Sequence, residues 1–238
     1  MSTNKFSIGA IINESWSAIK KNVWIFAGAL LGFLLIVFTV SFIMVGSTSI
    51  AISSINPNDI FALLAVFYSF SFLALYLIFF VLEILFYVGY YKMALLAADG
   101  LEPSLSAFSA SIRKMLNILL AAILFGILMN IGMLLCIVPG IIVAVRLRYF
   151  FFFIIDKDRN AIDALTESWE ITKGKTWKLV LLDLSFLALN MAGMICCGVG
   201  LLLTVPMTII AYALVYRKLT GEVSQNADFD ALSDTENI

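Results

Sequence analysis

The sequence predicts an all-α fold: a polytopic bundle of about six transmembrane helices, made of three parallel copies of one unit. Three observations predict it. Hydrophobic residues make up 62% of the chain and charged residues 13%, against about 45–50% and about 25% in soluble domains. The apolar residues fall in blocks long enough to cross a hydrocarbon core of about 30 Å. A phrase also recurs at an offset of 153: Glu14-Ser15-Trp16 is followed eight residues after its Trp by Trp24, and Glu167-Ser168-Trp169 is followed at the same distance by Trp177. Internal repetition of this kind sets the architecture.

The elements follow in order. Residues 1–22 are polar and amphipathic, and the run Val23 to Val45 exceeds the roughly 7–15 apolar residues of a signal peptide, so it reads as a retained first span. Asn56-Pro57-Asn58 marks a turn. The second span runs from Ile60 to about Tyr91, roughly 48 Å of helix, so it must tilt or project from the membrane. A polar linker, Asp99 to Ser106, leads to a third span over about 115–137. Pro139-Gly140 is the expected turn into a fourth span, about 141–155. The charged stretch Asp156 to Lys175 precedes a fifth span (about 176–196), a tight turn with Gly198 and Gly200, and a sixth span (about 201–216). Residues 1–218 form one membrane domain with repeat units of about 6–98, 104–155 and 158–218. Residues 219–238 carry five carboxylates and no Lys or Arg, and read as a disordered acidic tail.

The middle copy rests on register. At an offset of 61, Phe108 falls on Trp169, Leu116 on Trp177, and Gly132-Met133-x-x-Cys136 on Gly193-Met194-x-x-Cys197. The unit is a lead-in amphipathic helix followed by a two-span hairpin. An even number of spans per unit makes the copies parallel rather than inverted. In the first lead-in helix Ile8, Ile11, Ile12, Ser15, Ile19 and Val23 follow helical spacing. In the third, Ile162, Leu165 and Trp169 share a face. Such helices suit the headgroup layer, where Trp16, Trp24, Trp169 and Trp177 would act as anchors.

Thirteen of the fifteen Lys and Arg fall on one side of the six spans, all but Arg146 and Arg148, and the three opposite turns hold none. The positive-inside rule then places both termini in the cytoplasm.

The net charge of −1 gives no electrostatic reason to expect a nucleic-acid partner. The chain has no His, which removes the usual neutral-pH proton carrier and the commonest metal ligand. Cys136, Cys196 and Cys197 lack zinc-site spacing and read as small packing residues. No nucleophile–base pair, phosphate loop or metal cluster is recognisable. The expected protein is therefore not an enzyme and takes no cofactor or metal; it partners the lipid bilayer, with a membrane-protein partner or a second copy left open.

Several stretches resemble a known group: Ile137-Val138-Pro139-Gly140-Ile141-Ile142, then Ala161-Ile162-Asp163-Ala164-Leu165 leading to Ser168 and Lys173-Gly174, then Gly198-Val199-Gly200 with Pro206 to Tyr216. They are similar to uncharacterised prokaryotic six-span proteins related to the membrane domain found fused to some glycerophosphodiester phosphodiesterases. The resemblance implies a multi-pass protein of the bacterial inner membrane with unknown activity. It does not bring the phosphodiesterase reaction, which belongs to a separate soluble domain that uses His.

Two sets of residues stand out within the spans. Gly28-x-x-x-Gly32, Gly132-x-x-x-Cys136 and Gly193-x-x-x-Cys197 place small residues one turn apart, where helix backbones can approach. Glu83, Arg146, Arg148 and Asp183 are charges inside spans, and an unpaired Arg there costs about 2.5–3.5 kcal/mol on insertion scales. A carboxylate partner is expected, so Arg146 or Arg148 should pair with Glu83 or Asp183. The two Arg are two residues apart and point to nearly opposite sides, so the other should snorkel. These features suit a non-enzymatic protein that organises or regulates a membrane assembly; the alternative is a carrier or exporter of a small or amphiphilic solute.

The topology is testable with an impermeant maleimide on intact cells in a Cys-free background. Ser49→Cys and Asn58→Cys should label and Glu222→Cys should stay protected; the reverse pattern would overturn the orientation.

Overall fold

The computed structural model describes residues 7–54, 61–104, 114–195 and 198–221. All regular structure among them is helical: α1 (Ile8–Ser54), α2 (Phe61–Ala98), α3 (Met115–Leu135), α4 (Ile137–Leu147), α5 (Phe150–Lys157), α6 (Ala161–Ile171), α7 (Thr176–Ile195) and α8 (Leu201–Thr220). Among the described residues, six segments are long and apolar enough to cross a membrane: Ile8–Ile43, Leu75–Ala98, Met115–Leu135, Ile137–Lys157, Thr176–Ile195 and Leu201–Thr220. The Asn56–Asn58 turn, the middle lead-in segment at 105–113, Cys196, Cys197 and the tail from 222 onward lie outside the described residues.

The first lead-in segment and first span form one helix with a kink. Asn22 leaves helical geometry (φ −127°, ψ 17°), and its side-chain amide donates to the Ala18 carbonyl at 3.3 Å. An Asn amide that competes for the i−4 carbonyl bends a helix. Before the kink, Ile11, Ser15 and Ile19 are buried and Asn13, Glu14, Lys20 and Lys21 are exposed. The buried stripe packs on α8. After it, α1 climbs beside α2, with Phe26 edge-on to Tyr90 and Phe33 stacked on Phe86.

The third and fourth spans correct the expected turn. The chain reverses at Cys136, which is extended (φ −175°, ψ 156°). Pro139 and Gly140 lie inside the first turn of α4 instead. Proline is tolerated there because its missing N–H would have had no intrahelical partner. Close approach does fall at glycines. A Cβ on Gly132 would lie 3.0 Å from the Gly140 Cα, and one on Gly193 would lie 3.0 Å from the Gly200 carbonyl carbon and 2.9 Å from the Thr204 hydroxyl. Both hairpins are thus closed by backbone meeting backbone. Gly28 and Gly32 differ: nothing lies within 4 Å of a Cβ at either, so this pair makes no close helix contact among the described residues. Their face of α1 has turned outward. Gly198 (φ +76°) takes the left-handed turn between α7 and α8.

The fourth span is broken. α4 stops at Leu147 and α5 starts at Phe150. α5 is buried at Phe150, Phe152, Phe153, Ile154 and Ile155, enclosed by α2, α3 and α6, and Tyr216 of α8 stacks on Phe152 and meets Phe153 edge-on. α6 starts at Asn160, whose side-chain oxygen accepts from the Asp163 N–H at 2.9 Å while its amide donates to the Asp163 carboxylate, a reciprocal N-terminal cap. Its buried face is Ala161, Ala164, Leu165 and Ser168. Ile162 and Trp169 do not share that face; small alanines let α6 sit close to the α5 aromatics, and the two larger side chains look outward.

Away from this aromatic core, apolar side chains are exposed along α1 (Leu31 to Val45), α2 (Leu75 to Leu82), α3 (Leu116 to Leu135) and α7 (Leu181 to Ile195). Apolar surface on this scale belongs in lipid.

If the glycine contacts hold the hairpins, Gly132→Ala and Gly193→Ala should each destabilise detergent-purified protein by about 1–3 kcal/mol. Gly28→Ala should not lower the thermal midpoint, because its Cβ enters open space. Equal loss at all three positions would reject the contact.

Candidate functional site

Polar groups inside the bundle gather around the break in the fourth span. Arg148 closes α4 as its C-terminal cap, and its guanidinium donates to the Asp183 carboxylate of α7 at 2.5 Å. The same guanidinium lies over the Tyr212 ring of α8, 4.6 Å from its centre, and the Tyr212 ring meets Tyr149 edge-on. One ion pair and one cation–π contact therefore join the fourth, fifth and sixth spans. In a low-dielectric setting a paired, ring-covered guanidinium avoids the cost that an isolated one bears.

Arg146 takes the opposite side of the helix. It donates to the Trp169 carbonyl at 2.6 Å and to the Thr172 hydroxyl at 3.3 Å, and stacks 3.5 Å from the Trp169 ring centre. The Arg146 carbonyl, in the last turn of α4, accepts from the Ser168 hydroxyl at 2.7 Å. Carbonyls at a helix end lack intrahelical donors, so Ser168 supplies what the break removes. Glu83 is not brought to this cluster. It lies half-buried on α2 near Tyr87 and forms no ion pair with a described residue.

The two Glu-Ser-Trp phrases have similar surroundings. Glu167 pairs with Arg159 at 2.7 Å, and Glu14 pairs with Lys218 at 2.6 Å. Ser168 and Ser15 are both fully buried. A cation covers each Trp, Arg146 over Trp169 and Lys20 over Trp16. A helix interruption follows each, the kink at Asn22 and the turn after Ile171. Trp24 and Trp177, beyond the interruptions, are 90% and 72% exposed, whereas Trp16 and Trp169 are 40% and 38% exposed. The outer pair faces the surroundings and the inner pair is partly covered by the protein.

Sequence reasoning missed a second cluster, at the end of the bundle where α2, α5 and α8 finish. Arg217 of α8 donates to Asp99 at 2.8 and 2.7 Å and to Asp156 at 2.7 and 3.1 Å. The Tyr216 hydroxyl also reaches Asp156, at 3.1 Å. A planar guanidinium can serve two carboxylates at once, so the ends of the second, fourth and sixth spans are clamped by one side chain. Lys114 repeats the device on a smaller scale, donating to the Ile155 carbonyl at 2.8 Å and pairing with Asp158 at 3.2 Å. Asp99 and Asp156 are recognisable in the sequence only as loop starts, and Arg217 only as one of the orienting charges.

The fold and these clusters define a multi-pass membrane protein in contact with a lipid bilayer. A family model described as "Domain of unknown function (DUF7847)" matches residues 106–233, more than half of the chain, and the chain belongs to that family. It is 29% identical over 146 residues to the uncharacterized protein Mb2590 of Mycobacterium bovis, a match that covers 61% of this chain and 45% of that protein. It is 28% identical over the same length and shares to the uncharacterized protein Rv2560 of Mycobacterium tuberculosis. The match therefore spans less than half the length of these curated relatives. No solved structure matches the chain.

The pairing around Arg148 should appear in a double-mutant cycle on thermal unfolding. Arg148→Gln and Asp183→Asn should couple by about 0.5–3 kcal/mol, while Arg146→Gln and Asp183→Asn should add within about 0.5 kcal/mol. Additivity in both cycles would leave the ion pair without energetic weight.

Proposed function

We propose that the protein is a non-enzymatic organiser of a membrane assembly in the bacterial inner membrane, with both termini and the acidic tail in the cytoplasm. The observation that carries this reading is how the intramembrane and rim charges are spent. Arg148 with Asp183, Arg217 with Asp99 and Asp156, and Lys218 with Glu14 each tie helices of this chain to one another. Charges used this way serve the frame, and the long outward apolar faces are what the frame presents. The similar surroundings of the two Glu-Ser-Trp phrases support the first and third of three parallel repeats within one domain. The likeness to membrane domains fused to some glycerophosphodiester phosphodiesterases fits a module without chemistry of its own.

A carrier of a small or amphiphilic solute is the second reading. It is favoured by two buried polar atoms between α7 and α8, Asn190 Oδ1 and Thr204 Oγ1, which have no hydrogen-bond partner among the described residues.

Untargeted lipid and metabolite profiling of a deletion strain, complemented with an Arg148→Gln/Asp183→Asn double variant, separates the two. If the pair is structural, a folded double variant should restore the wild-type profile. Accumulation of one solute class that the folded double variant fails to clear would favour the carrier.

A further inference from the structure

The lipid-facing side of α4 and the start of α7 enclose a groove of about 400 Å³, within the roughly 300–1,000 Å³ range of ligand pockets. Its length is apolar: Val138, Ile141 and Ile142 follow the i, i+3, i+4 spacing of one α4 face, and Val180 of α7 lies opposite. Its other end is polar and cationic. Arg146, Gly174 and Thr176 line it beside Trp177, whose exposed indole suits the membrane–water boundary.

Arg146 is the key group. It has no carboxylate partner among the described residues, unlike Arg148 and Arg217. Of its five N–H donors, the two bonds described go to the Trp169 carbonyl and the Thr172 hydroxyl, both neutral. The Trp169 ring covers one side of the guanidinium, but no carboxylate among the described residues neutralises its charge where the groove ends. The adjoining stretch from Thr172 to Lys178 adds Lys173, Lys175 and Lys178 and has no acidic residue, and none of these three is in an ion pair with a described residue.

Dimensions connect the two ends. Val138 and Arg146 are eight residues apart, about 12 Å of helix, and the Arg side chain extends further. Arg146 bonds Thr172, and Gly174, Thr176 and Trp177 line the same end of the groove, so the guanidinium reaches the boundary that Trp177 marks, and Val138, Ile141 and Ile142 lead away from it into the hydrocarbon. Guanidinium is suited to phosphate because it can offer two parallel N–H donors.

We propose that this groove binds one anionic glycerophospholipid from the leaflet on the side of the termini, with an acyl chain against Val138, Ile141 and Ile142 and the phosphate on Arg146. The proposal does not depend on whether the protein organises an assembly or carries a solute. The apolar length of the groove selects a lipid over a soluble phosphate, and a cation without a carboxylate partner among the described residues selects an anionic over a zwitterionic headgroup.

The test is native mass spectrometry of the detergent-purified full chain with equimolar phosphatidylglycerol and phosphatidylcholine. One phosphatidylglycerol should be retained preferentially. Arg146→Gln should weaken its retention about tenfold. Arg146 also holds α6, so a second variant keeps its charge: Ile141→Trp should block the acyl path and lose the lipid with the thermal midpoint preserved. Millimolar inorganic phosphate or glycerol 3-phosphate should not displace the lipid. Equal retention of both lipids, unchanged phosphatidylglycerol retention in a folded Ile141→Trp, or displacement by inorganic phosphate would each overturn the proposal.

Discussion

A helix that breaks inside an apolar bundle releases backbone carbonyls where no water can serve them, and each must be met by the protein. The fourth span breaks between Leu147 and Phe150, and much of the polar bonding in the molecule is arranged around that point. Ser168 donates to the freed end of α4, Arg148 turns to Asp183, and Arg146 turns to Trp169. Because α6 and its C-terminal cap supply Ser168, Trp169 and Thr172 together, the charged segment between the fourth and fifth spans is drawn onto the bundle. Beyond the break, α5 is buried in the aromatic core against α2, α6 and α8.

The remaining cohesion divides by location. At the far hairpin ends no polar glue is needed: Gly132 meets Gly140 and Gly193 meets Gly200 so closely that backbone dispersion does the holding. Near the termini the chain can use charge, since water and headgroups reduce the cost of desolvation. There Arg217 collects two carboxylates from helix ends far apart in sequence, and Lys218 fastens the lead-in part of α1 through Glu14. Packing of small residues and clamping by ion pairs thus hold opposite ends of the same helices.

Membership of a family of unknown function leaves the outward surfaces as the best guide to activity. Trp24 and Trp177 project from the bundle, and Arg146 is the in-span guanidinium that meets only neutral partners among the described residues. A protein whose Arg148–Asp183 pair is satisfied within the fold and whose Arg146 opens onto an apolar groove is arranged to interact with its surroundings, lipid first.

What the sequence by itself determined is set by solvent and local periodicity. Apolar run lengths are fixed by hydrocarbon thickness, so six spans and most of their bounds were legible. The helical spacing of Ile8, Ile11, Ile12, Ser15, Ile19 and Val23 marked an apolar face, although not that its centre, Ile11, Ser15 and Ile19, packs on α8, and a two-residue separation already required Arg146 and Arg148 to diverge. Only the tertiary structure decided which partners those side chains met. Asp183 and not Glu83 faces Arg148 because the rotation of each helix about its own axis is set by packing against several neighbours at once. The same holds for Gly28 and Gly32, whose pattern equals that of a packing motif while their face points outward. Pro139-Gly140 carried a turn signal, yet the reversal fell at Cys136, because proline serves the first turn of a helix as well as it serves a loop. Arg217 joins Asp99 across 118 residues and Asp156 across 61, and no local pattern records a contact made only after the helices have assembled.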